Sequence, residues 1–235
     1  WSRYLGISYF DHPPAIAYII KFFTSIFGSS QLAVRLPSIF AITITSIFIY
    51  KIMKYLYSED LGFTAVVVFN FIPIFSVLSI LVLPDLPLIM FFTISLYYFI
   101  RTVYEKNPKL WYIIGIMTGL GLLSKYNMFL LYPGIFLYLI FNKKERFWFK
   151  RKELYLSFLL SLVFFLPVII WNMQHDWASF AFHLFEGDRT LAKALLNLQN
   201  VWEQPGVPLH NASLPVLLLL DPVFPYYRDE FEQFR

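Results

Sequence analysis

Long apolar runs with almost no charge alternate with short polar breaks along the chain, after an amphipathic first 34 residues. The first run, residues 14–27, carries Lys21 inside it. Proline suits the first turn of a helix, so Pro14 is a natural start, and Gly28-Ser29-Ser30 breaks the run. A helix of that length cannot cross about 30 Å of hydrocarbon, so it is predicted to lie in the membrane interface. Arg35 then opens a span over 35–50, followed by Lys51, Lys54, Tyr55 and Tyr57. Glu59-Asp60 reads as a turn. A second span covers 61–83, with Pro73 able to kink it. Pro84-Asp85-Leu86-Pro87 is a tight break, and a third span follows over 86–100.

After the polar loop from Arg101 to Lys109, the run 111–123 is rich in glycine, with Gly115, Gly119 and Gly121. Small residues let helices approach closely, so this run is predicted to be buried among its neighbours, and its glycines serve packing better than a phosphate loop. Ser124-Lys125-Tyr126-Asn127 interrupts it. Spans over 128–141 and 154–171 complete six crossings, separated by a basic stretch from Lys143 to Lys152. The predicted fold is all-α: a polytopic membrane helix bundle with interfacial helices on the non-cytoplasmic side. Its sections are a loop with an interfacial helix (1–34), a six-span core (35–172), an amphipathic segment (173–202) and a Pro-rich tail of low order (203–235). Asn211-Ala212-Ser213 fits a glycosylation triplet, a pattern common by chance.

Composition supports lipid as the solvent. The chain is 58% hydrophobic and 14% charged, against about 25% charged in soluble domains, and its mean hydropathy is +0.61. With no cysteine, disulfides and thiolate metal sites are excluded. The net charge of +4 does not indicate nucleic acid, because the basic residues sit in loops between apolar runs. If every run crosses, the loops 51–54, 101–109 and 143–152 share one side and hold eleven Lys and Arg. The positive-inside bias makes that side cytoplasmic. Asp11, His12, Arg35, Asp85, Lys125, His175 and Asp176 then all fall on the opposite side.

Each of these polar residues has a plain reading beside a functional one. Asp85 can cap a helix, or join a carboxylate–cation site at the membrane surface, where ionisable groups cost about 2.5–3.5 kcal/mol on insertion scales. Lys125 can snorkel, but it is the one basic residue in its turn, on the side the charge bias disfavours. That placement suits a point charge for a phosphate or pyrophosphate. Arg35 has the same alternatives, with a lipid-headgroup phosphate favoured. Asp11-His12 and His175-Asp176 carry metal-ligand chemistry, and a divalent metal is the secondary expectation there. The dipeptides lack the i,i+4 spacing of a helical metal pair, so hydrogen bonding in polar loops is the favoured role, and no metal is assigned.

Four motifs occur in order: Tyr9-Phe10-Asp11-His12-Pro13-Pro14, Ala33-Val34-Arg35-Leu36-Pro37, Pro84-Asp85-Leu86-Pro87-Leu88, and Gly119-Leu120-Gly121-Leu122-Leu123-Ser124-Lys125-Tyr126. Together with the stretch from Asn172 to Phe180 they resemble the protein O-mannosyltransferase superfamily. The resemblance is nearest to its bacterial branch, which includes the lipid A aminoarabinose transferases, and covers about residues 1–185. It implies a GT-C class membrane glycosyltransferase that takes a sugar from a polyprenyl-phosphate carrier on the non-cytoplasmic face, in the plasma (bacterial inner) membrane. The acceptor would be a glycolipid, glycan or protein. By this resemblance Asp85 is the candidate catalytic carboxylate, and Asp11, His12, Arg35, Lys125, Tyr126, His175 and Asp176 are substrate-binding candidates. The family's Asp-Glu pair, with its presumed catalytic Asp, falls ahead of the position of Trp1. The chain therefore reads as a fragment truncated at both ends, expected to be inactive alone. The runner-up reading is a transporter or flippase for a lipid-linked anion. It calls for paired interrupted helices in two halves, and no such symmetry is visible. A non-catalytic membrane scaffold is the third reading, and it would not need Asp85 and Lys125 on one face.

Overall fold

The computed structural model describes residues 2–73, 75 and 81–183, and these residues form helices and turns with no strand among them. The expectations for 184–235, including the tail and the glycosylation triplet, lie outside the described residues, as does most of 74–80 in the second predicted span. By compactness the chain divides at residue 180, and the helices below all belong to the unit ahead of that point.

Seven α-helices follow one another among the described residues. Helix α1 (Ala15–Phe27) starts directly after Pro14 and ends at Gly28, whose φ of 74° is open to glycine. Helix α2 (Gln31–Leu56) begins four residues ahead of the predicted span, because the Ser30 hydroxyl caps it by accepting from the Ala33 amide at 3.2 Å. Ser58 caps α3 (Glu59–Phe71) in the same way at 3.3 Å. Glu59 and Asp60 are thus the first turn of a helix, where carboxylates complement the helix dipole, and not the turn the sequence suggested. Helix α4 (Asp85–Glu105) ends at Lys106, in left-handed backbone with φ 53°. Helix α5 (Leu110–Leu122) leads through a turn and a 3-10 segment (Tyr126–Leu130) into α6 (Leu131–Phe141). A second 3-10 segment (Arg146–Lys150) precedes α7 (Lys152–Gln174).

Helix α5 sits between α4 and α7, while α2 packs on α1, α3 and α4. The glycine pattern explains the α5–α7 contact. A Cβ at Gly115 would lie 2.5 Å from the Ser157 carbonyl oxygen, and one at Gly119 would lie 2.6 Å from Cβ of Phe164. The helices touch where neither residue has a side chain, as the small-residue rule requires. Trp111, Ile114, Tyr132, Leu139, Trp148 and Leu154 fill the core around this contact. The Tyr132 hydroxyl shares a buried 2.8 Å hydrogen bond with the Ser157 hydroxyl.

Helices α2, α4 and α7 are long and apolar enough to cross a membrane, at 26, 21 and 23 residues. Less than half of each apolar window is buried in the protein, so each presents a broad apolar face outward. The predicted fold class, an all-helical membrane bundle, matches this architecture. Helices α1 and α5 are 13 residues each, about 20 Å at 1.5 Å per residue.

Candidate functional site

Asp85 is the first residue of α4. Pro84 occupies the capping position, and the Asp85 carboxylate makes no capping bond among the described residues. It instead accepts from the Lys125 ammonium at 2.7 Å, across 40 residues of sequence. Lys125 reaches this point because the chain leaves α5 through a tight turn. The amides of Ser124 and Lys125 both donate to the Gly121 carbonyl, at 2.9 and 3.0 Å. Lys125 itself is extended (φ −157°, ψ 141°), which swings it out of the helix line. Gly121 is required here, since a Cβ would lie 2.7 Å from Cγ of Met128. The Lys125 and Asp85 side chains are 26% and 36% exposed, so the pair is held by the fold yet open to an incoming group.

Three further ties surround this pair. The Ala15 amide donates to the Leu123 carbonyl at 2.9 Å, which ties the start of α1 to the turn carrying Lys125. Pro13 and Pro14 are buried beside this tie. The Ser38 hydroxyl donates to the Leu81 carbonyl at 2.8 Å, joining α2 to the stretch ahead of Asp85. Tyr126 anchors the segment after α7. Its hydroxyl shares a 2.7 Å hydrogen bond with that of Ser179, and its ring packs edge-on against Phe165 and Phe180. Burial pushes the Tyr126 phenol above its ordinary value, with Ser179, Asn172 and Ser8 acting against that rise.

The other candidates occupy the loops that follow and precede these helices. Asp11 and His12 face one another at 3.8 Å, both partly exposed. His175 is exposed and stacks on Trp171, with ring centroids 4.0 Å apart, while its Nδ1 lies 2.8 Å from the Trp171 carbonyl. Asp176 is exposed and, like Trp177, in left-handed backbone, with φ of 52° and 58°. Arg35 is exposed on the second turn of α2 and makes no ion pair among the described residues. Asp85 and Lys125 are thus brought into direct contact, and Tyr126 lies beside them through its position next to Lys125. No group of three or more His, Asp or Glu side chains that could hold a metal ion occurs among the described residues.

Residues that the sequence pattern does not single out complete the arrangement. Asn172 is fully buried at the end of α7. Its amide donates to the Val168 carbonyl at 3.0 Å, and its Oδ1 accepts from the Phe180 amide at 3.2 Å. Its own carbonyl accepts from the amides of His175 and Trp177. Ser8 and Ser179 are buried as well. The available signal is an Asn closing an apolar run, four residues after a valine and just before a charged stretch.

The opposite end of the bundle has its own charges. Lys106 pairs with the buried Glu145 at 2.5 Å, Arg101 with Glu105 at 2.6 Å, and Lys54 with Glu59 at 3.2 Å. The residues assigned by sequence to each side contact others of the same side in every one of these pairs.

Two relatives share this chain's pattern. The lipid A galacturonosyltransferase RgtD of Rhizobium johnstonii is 25% identical over 178 residues, 75% of this chain and 37% of that protein. The undecaprenyl phosphate-alpha-4-amino-4-deoxy-L-arabinose arabinosyl transferase of Yersinia enterocolitica is 28% identical over 137 residues, 56% of this chain and 24% of that protein. The chain thus spans well under half the length of either relative. No solved structure matches it. The sequence profile of dolichyl-phosphate-mannose-protein mannosyltransferases matches residues 11–171, a stretch that holds Asp85, Lys125 and the helices that present them, and the chain belongs to that glycosyltransferase family.

Proposed function

We propose that this chain is the donor-handling part of an integral-membrane glycosyltransferase that moves a sugar from a polyprenyl-phosphate carrier to a glycolipid, glycan or protein acceptor. The 2.7 Å pair between Asp85 and Lys125 carries the reading. A phosphate leaving group bears more negative charge than a carboxylate and competes with Asp85 for the Lys125 ammonium. In transfer, an acceptor oxygen attacks the anomeric carbon, the bond from that carbon to the phosphate oxygen breaks, and the acceptor proton passes to a carboxylate. Lys125 stabilises the charge gathering on the departing phosphate. Asp85, released from Lys125 as phosphate enters, is the carboxylate within this chain for orienting the acceptor. Asp11, His12, Arg35, Tyr126, His175 and Asp176 serve substrate contacts around the same end, with the half-buried Tyr126 also bonded to Ser179.

Six crossings with the Asp85–Lys125 end on the non-cytoplasmic face of the bacterial inner membrane complete the proposal. The basic loops support that orientation, with eleven Lys and Arg at the other end. The segregation of ion pairs into two sets, one at each end, supports it too. The relatives, named for a lipid A galacturonosyl and an arabinosyl transfer, favour a glycolipid acceptor. The test is transfer of a labelled polyprenyl-phosphate sugar by membranes containing the full-length protein. Lys125→Ala is expected to lower transfer by about 10–150-fold, the value of one charge-assisted hydrogen bond of about 1.5–3 kcal/mol. Unchanged transfer in both Lys125→Ala and Asp85→Asn sinks the site.

A further inference from the structure

A shallow, open cleft lies at the end of the bundle opposite Asp85. It has a volume of about 760 Å³ and is lined by Tyr138, Phe141, Asn142, Lys143 and Lys144, where α6 gives way to its loop. Charge matching at this end is partial. Lys51, Lys109, Arg146, Lys150 and Lys152 make no ion pair among the described residues, and of the unmatched cations Lys143 and Lys144 line this cleft. Lys54, Arg101, Lys106 and Arg151 each meet a glutamate, from Glu59, Glu105, Glu145 and Glu153. Lys143 and Lys144 are exposed, and neither ammonium meets a carboxylate among the described residues. The cleft therefore holds two uncompensated positive charges against aromatic walls.

Two local details favour an anion there. A helix C-terminus ordinarily repels anions through its free carbonyls. Here the Arg146 guanidinium donates twice to the Ile140 carbonyl, at 2.9 and 2.6 Å, covering that end of α6. Asn142 fixes the loop: its Oδ1 accepts from the Lys144 amide at 3.2 Å, and its Nδ2 donates to the Tyr138 hydroxyl at 3.2 Å. The Lys144 backbone and the Tyr138 hydroxyl are thereby tied to one loop residue at the cleft. Just before it on α6, Leu137, Ile140 and Phe141 are exposed at i, i+3 and i+4, an apolar track leading to the charged cleft.

We propose that this cleft binds the headgroup of an anionic membrane phospholipid, with Lys143 and Lys144 on its phosphate and the apolar track of α6 along its acyl chains. Basic pockets at helix ends take such headgroups, and each lysine near a charged membrane surface contributes about fivefold in affinity. The inference is independent of the transfer reading, since it uses none of the Asp85–Lys125 residues.

The test is native mass spectrometry of the intact chain in detergent, titrated with phosphatidylglycerol or phosphatidylcholine. One phosphatidylglycerol is expected to bind in preference to phosphatidylcholine. Lys143→Gln/Lys144→Gln should weaken that binding roughly thirty-fold, the product of two lysines. Lys143→Arg/Lys144→Arg should retain it. Lys150→Gln/Lys152→Gln removes the same charge from the same loop outside the cleft and should leave it unchanged. Equal weakening by both glutamine pairs overturns the site in favour of diffuse attraction. Equal binding of phosphatidylcholine, or inorganic phosphate alone binding as tightly as phosphatidylglycerol, overturns the lipid assignment.

Discussion

Replacing Gly115 by alanine places the new Cβ 2.5 Å from the Ser157 oxygen, 3.0 Å from its Cα and 3.1 Å from its carbonyl carbon. All three atoms are α7 backbone, so no rotamer change relieves the contact. Helix α7 must retreat, and the Tyr132–Ser157 hydrogen bond and the packing around Trp111 and Leu154 retreat with it. Overpacking of this kind costs about 1–3 kcal/mol. Alanine is also a better helix former than glycine by about 0.8–1.0 kcal/mol, which offsets part of the loss. Gly134, in α6, isolates the two terms: a Cβ there meets nothing within 4 Å. Gly134→Ala keeps the propensity gain without the clash, so the difference between the two variants is the clash alone, about 1–3 kcal/mol. The assay is equilibrium unfolding of each variant in mixed micelles, followed by tryptophan fluorescence. Equal shifts for Gly115→Ala and Gly134→Ala would refute the close α5–α7 approach.

Other expectations follow from the two ends of the bundle. A double-mutant cycle on Asp85→Asn and Lys125→Met should give a coupling of at most about 1 kcal/mol, because the pair is partly exposed; unfolding midpoints measure it. Lys106→Met strands the buried Glu145 and should cost about 3 kcal/mol, with Lys106→Met/Glu145→Met recovering much of it in the same assay. The Tyr126 phenol has a raised value in the folded protein, so its contribution to stability is complete below its unfolded value of about 10 and is lost as pH rises through the folded value. Unfolding measured across alkaline pH should show that loss in the parent and not in Tyr126→Phe.

The sequence carried the convergence of Asp85 and Lys125 because each interrupts an apolar run, and run counting put both at the same end. It carried the packing role of Gly115 and Gly119 through their i,i+4 spacing in a run without charge. Helix starts were less legible. Ser30 and Ser58 add a turn by capping, and a hydroxyl beside an apolar run announces its cap only when the amide it serves is known. Ser8, Asn172 and Ser179 were unreadable for a related reason. Each is a small polar residue next to hydrocarbon, and its role depends on a partner far along the chain, as Tyr126 is for Ser179. The family resemblance puts Tyr126 at the substrate, and its hydrogen bond to Ser179 is a further contact that the sequence does not announce.

Helix α4 is tethered at both of its limits. Asp85, its first residue, is bound to the turn after α5, and Lys106, just past its last, is bound to Glu145. Between them lies a rod of 21 residues, about 32 Å long. A ligand that draws Lys125 away removes the tie at one end of this rod and leaves the Glu145 tie in place, while α2 and α5 still flank the helix between them. The change is then confined to the Asp85 end, so phosphate can enter there without disturbing the far face of the bundle.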